Sequence, residues 1–230
     1  MPVDIQSRRV GPITVVTCRG RIVEGDESRA LQEHLNTVLQ RSPDIVINLG
    51  AVEFLDSGGL GLLVRFLTRA QTAQGSLKLC EVPARIAEVL RITKLNTLFE
   101  SYDSEAAAIT ASYHRATSPG PSFRFDADIL CVDPSADVVA YVRELLKQAG
   151  YGVVTAENVP DALTLVQAVR PKLVVVNAKL HATRTTRSTD TFNQLADEIG
   201  VVELPADFSS RDAAAAAEQL TGEVRSRMGR

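Results

Sequence analysis

NLGAVEFLDSGGLGLLVRF, residues 48–66, is the stretch that decides the fold. The apolar run DIVINLG at 44–50 leads into it and reads as a buried strand. FLDSGG then reads as a turn, and GLGLLVRFLTRAQTAQ at 59–74 as a helix with a heavy apolar face. The turn presents Ser57 at or near a helix N-terminus, where Asp56 or Ser57 can accept hydrogen bonds from free N–H groups. Gly58 and Gly59 permit tight backbone and are expected to leave the neighbourhood uncrowded. The free N–H groups and the positive end of the helix dipole favour an anion, so a phosphate on Ser57 would be tolerated. Such a phosphate adds about −1.5 to −2 charge. Two readings stay open: an ordinary capped strand–turn–helix, and a regulated serine. A nucleophile elbow is excluded because GxSxG is absent around Ser57. A P-loop is excluded because GGLGLLVRF lacks the GK[ST] ending.

Working outward, the first half alternates strands and helices. PITVVTC at 12–18 is rich in β-branched residues and reads as a strand. ESRALQEHLNTVLQ at 27–40 sets Leu31, Leu35, Val38 and Leu39 near one helical face. Gly75 suits a left-handed position that stops the helix after the turn. SLKLCEV reads as a strand, PARIAEVLRITKL as a helix with Pro83 in its first turn, LFESY as a short strand and SEAAAITAS as a helix. A sheet with helices packed on it follows.

YHRATSPGPSFRFDA, 113–127, contains the breaker cluster SPGPS and reads as a linker between domains at 1–112 and 128–230. Beyond it, DILCVD reads as a strand ending in Asp133, SADVVAYVRELLKQAG as a helix ended by Gly150, and YGVVTAEN as a second strand. VPDALTLVQAVR is a second helix, and PKLVVVNA is the nearly continuous apolar run of a buried parallel strand. This order favours a doubly wound sheet with functional residues at the strand C-terminal ends. HATRTTRSTDTFNQ at 181–194 reads as a solvated loop, or as a phosphate- or partner-binding one, and 211–230 as a final helix with a basic end.

The composition narrows the function. Hydrophobic residues make up 45% of 230 residues and charged ones 23%, as in an ordinary globular protein. The net charge of −3 gives no basic field for direct contact with DNA. No apolar run is long enough to span a membrane, and the first residues do not resemble a signal peptide, so a cytoplasmic location is expected. Cys18, Cys80 and Cys131 are far apart, without CxxC spacing, and read as three buried thiols. His34, His114 and His181 form no metal-site spacing. No metal, cofactor or catalytic constellation is expected.

The first half resembles a STAS domain, the fold of bacterial anti-sigma factor antagonists. The likeness runs from VVTCRGRI through DIVINLGAVEFLDSGGLGLLVRF to SLKLCEVPARIAEVLRITKLNTLFESYDS, roughly residues 3–112. The resemblance implies that Asp56 and Ser57 are the Asp-Ser pair that carries the regulatory phosphoserine. The family often has a second Ser or Thr next; here Gly58 stands there, so Ser57 is the only hydroxyl in the turn. The implied mechanism is partner switching. The unphosphorylated protein binds an anti-sigma factor that is also a serine protein kinase, phosphorylation of Ser57 releases it, and a serine phosphatase resets the cycle. Phe54, Asp56, Ser57, Gly58 and Gly59 are the expected partner-binding residues, Phe54 and Leu55 reading equally as plain core residues, and the chain is expected to be a substrate, not an enzyme.

The second half is similar to a response-regulator receiver domain, on ILCVDPS and GYGVVTAENVPDALTLVQAVRPKLVVVNAKL. The family's acidic pair is incomplete, since Pro134 follows Asp133, and its phosphoacceptor position holds Asn177. Asparagine cannot form an acyl phosphate. Asp133 is left as a cap for the following helix or as a residual metal ligand. The family's Lys-Pro corresponds best to Leu204-Pro205, and the span from Asn177 is short enough that one βα unit is expected to be lost. The fold expected is therefore α/β in two domains: a STAS-type sheet packed with helices, then a truncated flavodoxin-like pseudo-receiver serving homodimerisation or regulation. The alternatives are a STAS scaffold or adaptor in a signalling assembly, and an enzyme or small-ligand sensor.

Overall fold

The computed structural model describes residues 3–116, 127–183, 186–205, 208 and 213–229. The chain divides into two compact units, Met1–Ala116 and Thr117–Arg230. Residues 117–126, most of the expected linker, lie outside the described residues.

The first unit runs β1 (Asp4–Val10), β2 (Ile13–Ile22), α1 (Asp26–Arg41), β3 (Asp44–Leu55), α2 (Ser57–Thr72) and β4 (Ser76–Cys80). It continues with α3 (Ala84–Ile92), a 3-10 turn at Leu95–Thr97, β5 (Ser101–Tyr102) and α4 (Glu105–Ala116). The sheet order is β1-β2-β3-β4-β5; β1 is antiparallel to β2 and every later pair is parallel. One sheet face carries Val16, Cys18, Ile45, Ile47, Leu49, Leu77 and Leu79, which pack with Leu31 and Leu35 of α1, Leu63 and Phe66 of α2, and Leu90 of α3. Helix α4 packs on β3 and β4. There the Glu105 carboxylate accepts from Arg8 and Asn48, and buried Lys78 pairs with Glu100.

Four local features differ from the sequence reading. Strand β1 was not anticipated, because DIQSRRV is a mostly exposed edge strand with little apolar signal. Strand β3 runs five residues past Gly50, because its register with β2 continues to Ile22↔Leu55. Helix α4 continues past 112 to Ala116. Gln74, not Gly75, takes the left-handed conformation after α2, with φ 59°. Gly75 is required for another reason: a Cβ there would lie 2.1 Å from the Pro43 carbonyl oxygen.

The second unit runs β6 (Ile129–Val132), α5 (Ala136–Gln148), β7 (Val153–Ala156), α6 (Val159–Val169) and β8 (Leu173–Asn177). Then come α7 (Ala178–Ala182), α8 (Arg187–Ile199), β9 (Val201–Leu204) and α9 (Ala213–Met228). The four described strands are all parallel, in the order β7-β6-β8-β9. Val142 and Leu146 of α5 and Leu220 and Val224 of α9 pack with Cys131, Val175 and Val202 on one face. Helices α6 and α8 touch each other, and α6 packs on β6 and β7. Gly150 follows α5 with φ 88°, as glycine allows. The expected loop at 181–194 is corrected. Apart from 184–185, outside the described residues, its first part forms the end of α7, and its second half opens α8, where Thr186 accepts from the Thr189 N–H. Phe192 and Ala196 anchor that helix in the core. All three cysteines are free and buried. Burial pushes the Cys18 and Cys80 thiols up to about 12, and the Cys131 thiol higher still.

Candidate functional site

The Ser57 turn is built by one carboxylate that holds two segments. Asp56 is the N-cap of α2: its Oδ1 accepts from the Gly59 N–H at 2.8 Å, satisfying an otherwise orphan donor of the first turn. Its Oδ2 accepts from the Glu24 N–H, also at 2.8 Å. Partial burial raises the Asp56 pKa, but the N–H groups of Gly59, Glu24, Gly58 and Asp56 itself outweigh that. They hold the carboxyl below the usual carboxylate range.

Ser57 is therefore the first residue of α2, not a residue ahead of it, and it is exposed. The cap falls to Asp56, which leaves the Ser57 hydroxyl free of that duty. Phe54 is 40% exposed, with the Arg21 guanidinium 5.3 Å from its ring centroid. The glycines are crowded, contrary to the sequence reading. A Cβ on Gly58 would lie 2.9 Å from Glu24 Cβ, and one on Gly59 only 2.6 Å from Leu55 Cδ1 and 2.8 Å from the Ile22 carbonyl oxygen. Gly59 is buried, so it shapes the turn from beneath, while Gly58 is half-buried at the rim. Sequence reading missed Glu24, whose contact with Asp56 spans 32 residues. The one local signal was Gly25, held at φ 129° ahead of α1.

In the second unit the structure brings Asp133 and Asn177 together across adjacent strands. Asn177 Nδ2 donates to Asp133 Oδ2 at 2.8 Å, and both side chains are buried. Asp133 Oδ1 accepts from the Ser135 N–H at 2.8 Å, and Asn177 Oδ1 accepts from the Lys179 N–H at 2.9 Å. Ser135, not Asp133, caps α5. Every polar atom of the pair thus has a partner. Among the described residues, no group of three or more His, Cys, Asp or Glu is arranged to hold a metal ion. His181 lies between Glu203, 2.6 Å from Nδ1, and Asp197, 3.2 Å from Nε2. No described helix is long and apolar enough to cross a membrane.

Strand, capped turn, exposed serine and helix, on a sheet with one antiparallel edge, define the class of the first unit. Residues 4–108 match the STAS domain family, and the first unit is a STAS domain. Among curated proteins, BtrV of Bordetella bronchiseptica, a candidate anti-sigma factor antagonist, is 24% identical over 98 residues, 42% of this chain and 84% of BtrV. Protein Rrf1 of Nitratidesulfovibrio vulgaris is 43% identical over 54 residues, which span 24% of this chain and 39% of Rrf1. Among solved structures, an anti-sigma factor antagonist from Mycobacterium paratuberculosis has 23% identity and a TM-score of 0.44, over 48% of this chain and 93% of that one.

Proposed function

We propose that the chain is an anti-sigma factor antagonist that works by partner switching at Ser57. The observation that carries this reading is the exposed Ser57 hydroxyl at the first position of α2, with the capping duty taken by Asp56. The STAS match of the first unit and its likeness to BtrV support it. In this reading the unphosphorylated turn docks against an anti-sigma factor that is also a serine kinase. Phosphorylation places about two negative charges on a packed contact already flanked by Asp56 and Glu24. Repulsion and bulk then part the two proteins, and a serine phosphatase restores the contact. The chain is the substrate of the phosphoryl transfer and supplies no catalytic group.

The second unit, in this reading, is a receiver-like domain that does not accept phosphate. Its order β7-β6-β8-β9 supplies four of the five positions of the flavodoxin-like order 2-1-3-4-5. Asn177 stands at the end of the third strand, and its amide is spent on Asp133. Its role is homodimerisation or control of the STAS domain.

The test is a paired capture from lysate of the source organism, with Ser57→Ala and Ser57→Glu baits and mass spectrometry of what each retains. The reading expects a histidine-kinase-like ATPase on the alanine bait that is lost from the glutamate bait. Identical partners on both would contradict it and favour the scaffold role.

A further inference from the structure

The STAS domain is polarised along its strands. At the strand C-terminal end, Phe54 stands 40% exposed beside Ser57, among the carboxylates of Glu24, Asp26, Glu27, Glu53 and Asp56. The cations there are Arg19, level with Ala51, Arg21, over the Phe54 ring, Arg29, paired with Asp26, and Arg85 in the first turn of α3, so the carboxylates are in excess without being alone. Helices α1, α2 and α3 each follow a strand and return, so their last turns lie at the opposite end. Those turns carry Arg41, Arg69 and Arg91, all exposed, with exposed Lys94 just beyond. Arg91 shares its charge with Glu88.

The cationic end also carries two of the most exposed large apolar side chains described, Ile92 at 67% and Leu98 at 52%. They sit on a fixed turn. Lys94 takes a left-handed φ of 60°, which costs a non-glycine residue energy. Thr93 Oγ1 donates to the Val89 carbonyl at 2.8 Å, and Thr97 Oγ1 to the Lys94 carbonyl at 2.9 Å. Leu95 anchors the turn against the core. The segment RITKLNTL, 91–98, contains no acidic residue, and Glu100 just beyond it is paired with Lys78.

The register places the two ends far apart. Asn48 pairs with Cys80, so Phe54 lies six residues beyond the end of β4; Leu98 lies three residues before Ser101, which pairs with Leu79. Phe54 thus stands seven strand residues beyond the level of Ser101, on the order of 20 Å at about 3.3 Å per residue, and the Leu95–Leu98 turn lies on the far side of that level. Each end thus offers exposed apolar surface with an excess of charge opposite to the other's, and one copy cannot bring them together.

We propose that copies of this chain associate head to tail, the acidic Phe54–Ser57 end of one STAS domain seating on the cationic Ile92–Leu98 end of the next. Such a contact is heterologous and leaves a free surface at each end of the assembly. It does not rest on the anti-sigma reading, but it uses the same turn and so competes with that partner; sedimentation of the chain alone tests it with the partner absent.

Sedimentation velocity of the full chain over a range of concentrations, at low and high salt, tests this with Phe54→Asp and a combined Ile92→Asp, Leu98→Asp variant. Both alter exposed side chains. The wild type is expected to grow with concentration, without stopping at one added copy, and to shrink in high salt. Each variant alone should lose that growth. An equimolar mixture of the two variants should form one new complex and grow no further, because only one intact end of each kind remains. A wild type whose mass does not change with concentration overturns the proposal. So does a mixture that forms nothing new, since that would mean a symmetric contact or a different occupant.

Discussion

The Ser57 turn and the Asp133–Asn177 pair occupy comparable places, each at the C-terminal end of a parallel strand, yet they are opposite in chemistry. In the first, Asp56 absorbs the local donors and leaves a serine hydroxyl exposed. In the second, Asn177 and Asp133 absorb each other and the neighbouring N–H groups, and both are buried. A site for a reversible covalent signal needs an accessible acceptor on a rigid support. The first unit presents an exposed hydroxyl on such a support, whereas Asp133 and Asn177 are both buried in the second. The difference lies in which residue is saturated, since the strand-end position is shared.

The largest effect that would break this comparison is expected from Asn177→Asp. It sets a second carboxyl against buried Asp133 and removes the amide donor, so the second unit should lose about 3 kcal/mol in urea unfolding. Loss below 1 kcal/mol would mean that the pair is not the closed unit described. Gly59→Ala comes next. Its Cβ meets Leu55 and the Ile22 carbonyl, and overpacking of this kind costs about 1–3 kcal/mol in the first unit.

Asp56→Ala removes the cap and should cost about 0.5–2 kcal/mol. Hydrogen exchange should then report faster exchange of the Glu24 and Gly59 amides together, and a change at Gly59 alone would remove Glu24 from the clamp. The same carboxyl gives a pH signature. Its pKa is lower folded than unfolded, so its contribution is full above the ordinary carboxylate range and is lost as pH falls through the folded value. Asp56→Asn should flatten this acid limb of the stability curve; an unchanged limb would assign it to other carboxylates. Smallest of all, Ser57→Ala should leave thermal stability within about 0.5 kcal/mol, because the side chain is exposed and caps nothing.

Much of the fold was legible because DIVINLG, SLKLC, DILCV and KLVVVN are apolar runs too short for helices. What was missed has physical causes. The edge strand β1 buries little, so its alternation carries weak signal. In α8 the hydroxyl-rich opening hid a helix whose burial falls on Phe192, Asn193 and Ala196. The Asp56-Ser57 turn was readable because strand, cap and helix are contiguous. The bond from Glu24 to Asp56 was not, and neither was the Asp133–Asn177 pairing, because each joins residues more than thirty apart. Gly75 shows the same limit: its need for glycine comes from Pro43 above it, not from its own φ.

The contrast is tested most directly by mapping where phosphate lands. The full chain would be incubated with ATP and the ATPase retained by the Ser57→Ala bait, then analysed by peptide mass spectrometry under conditions that preserve both phosphoserine and acyl phosphate. The account predicts phosphate on Ser57, none on the second unit, and release of the ATPase as modification proceeds. Phosphate on the second unit with Ser57 unmodified would contradict it.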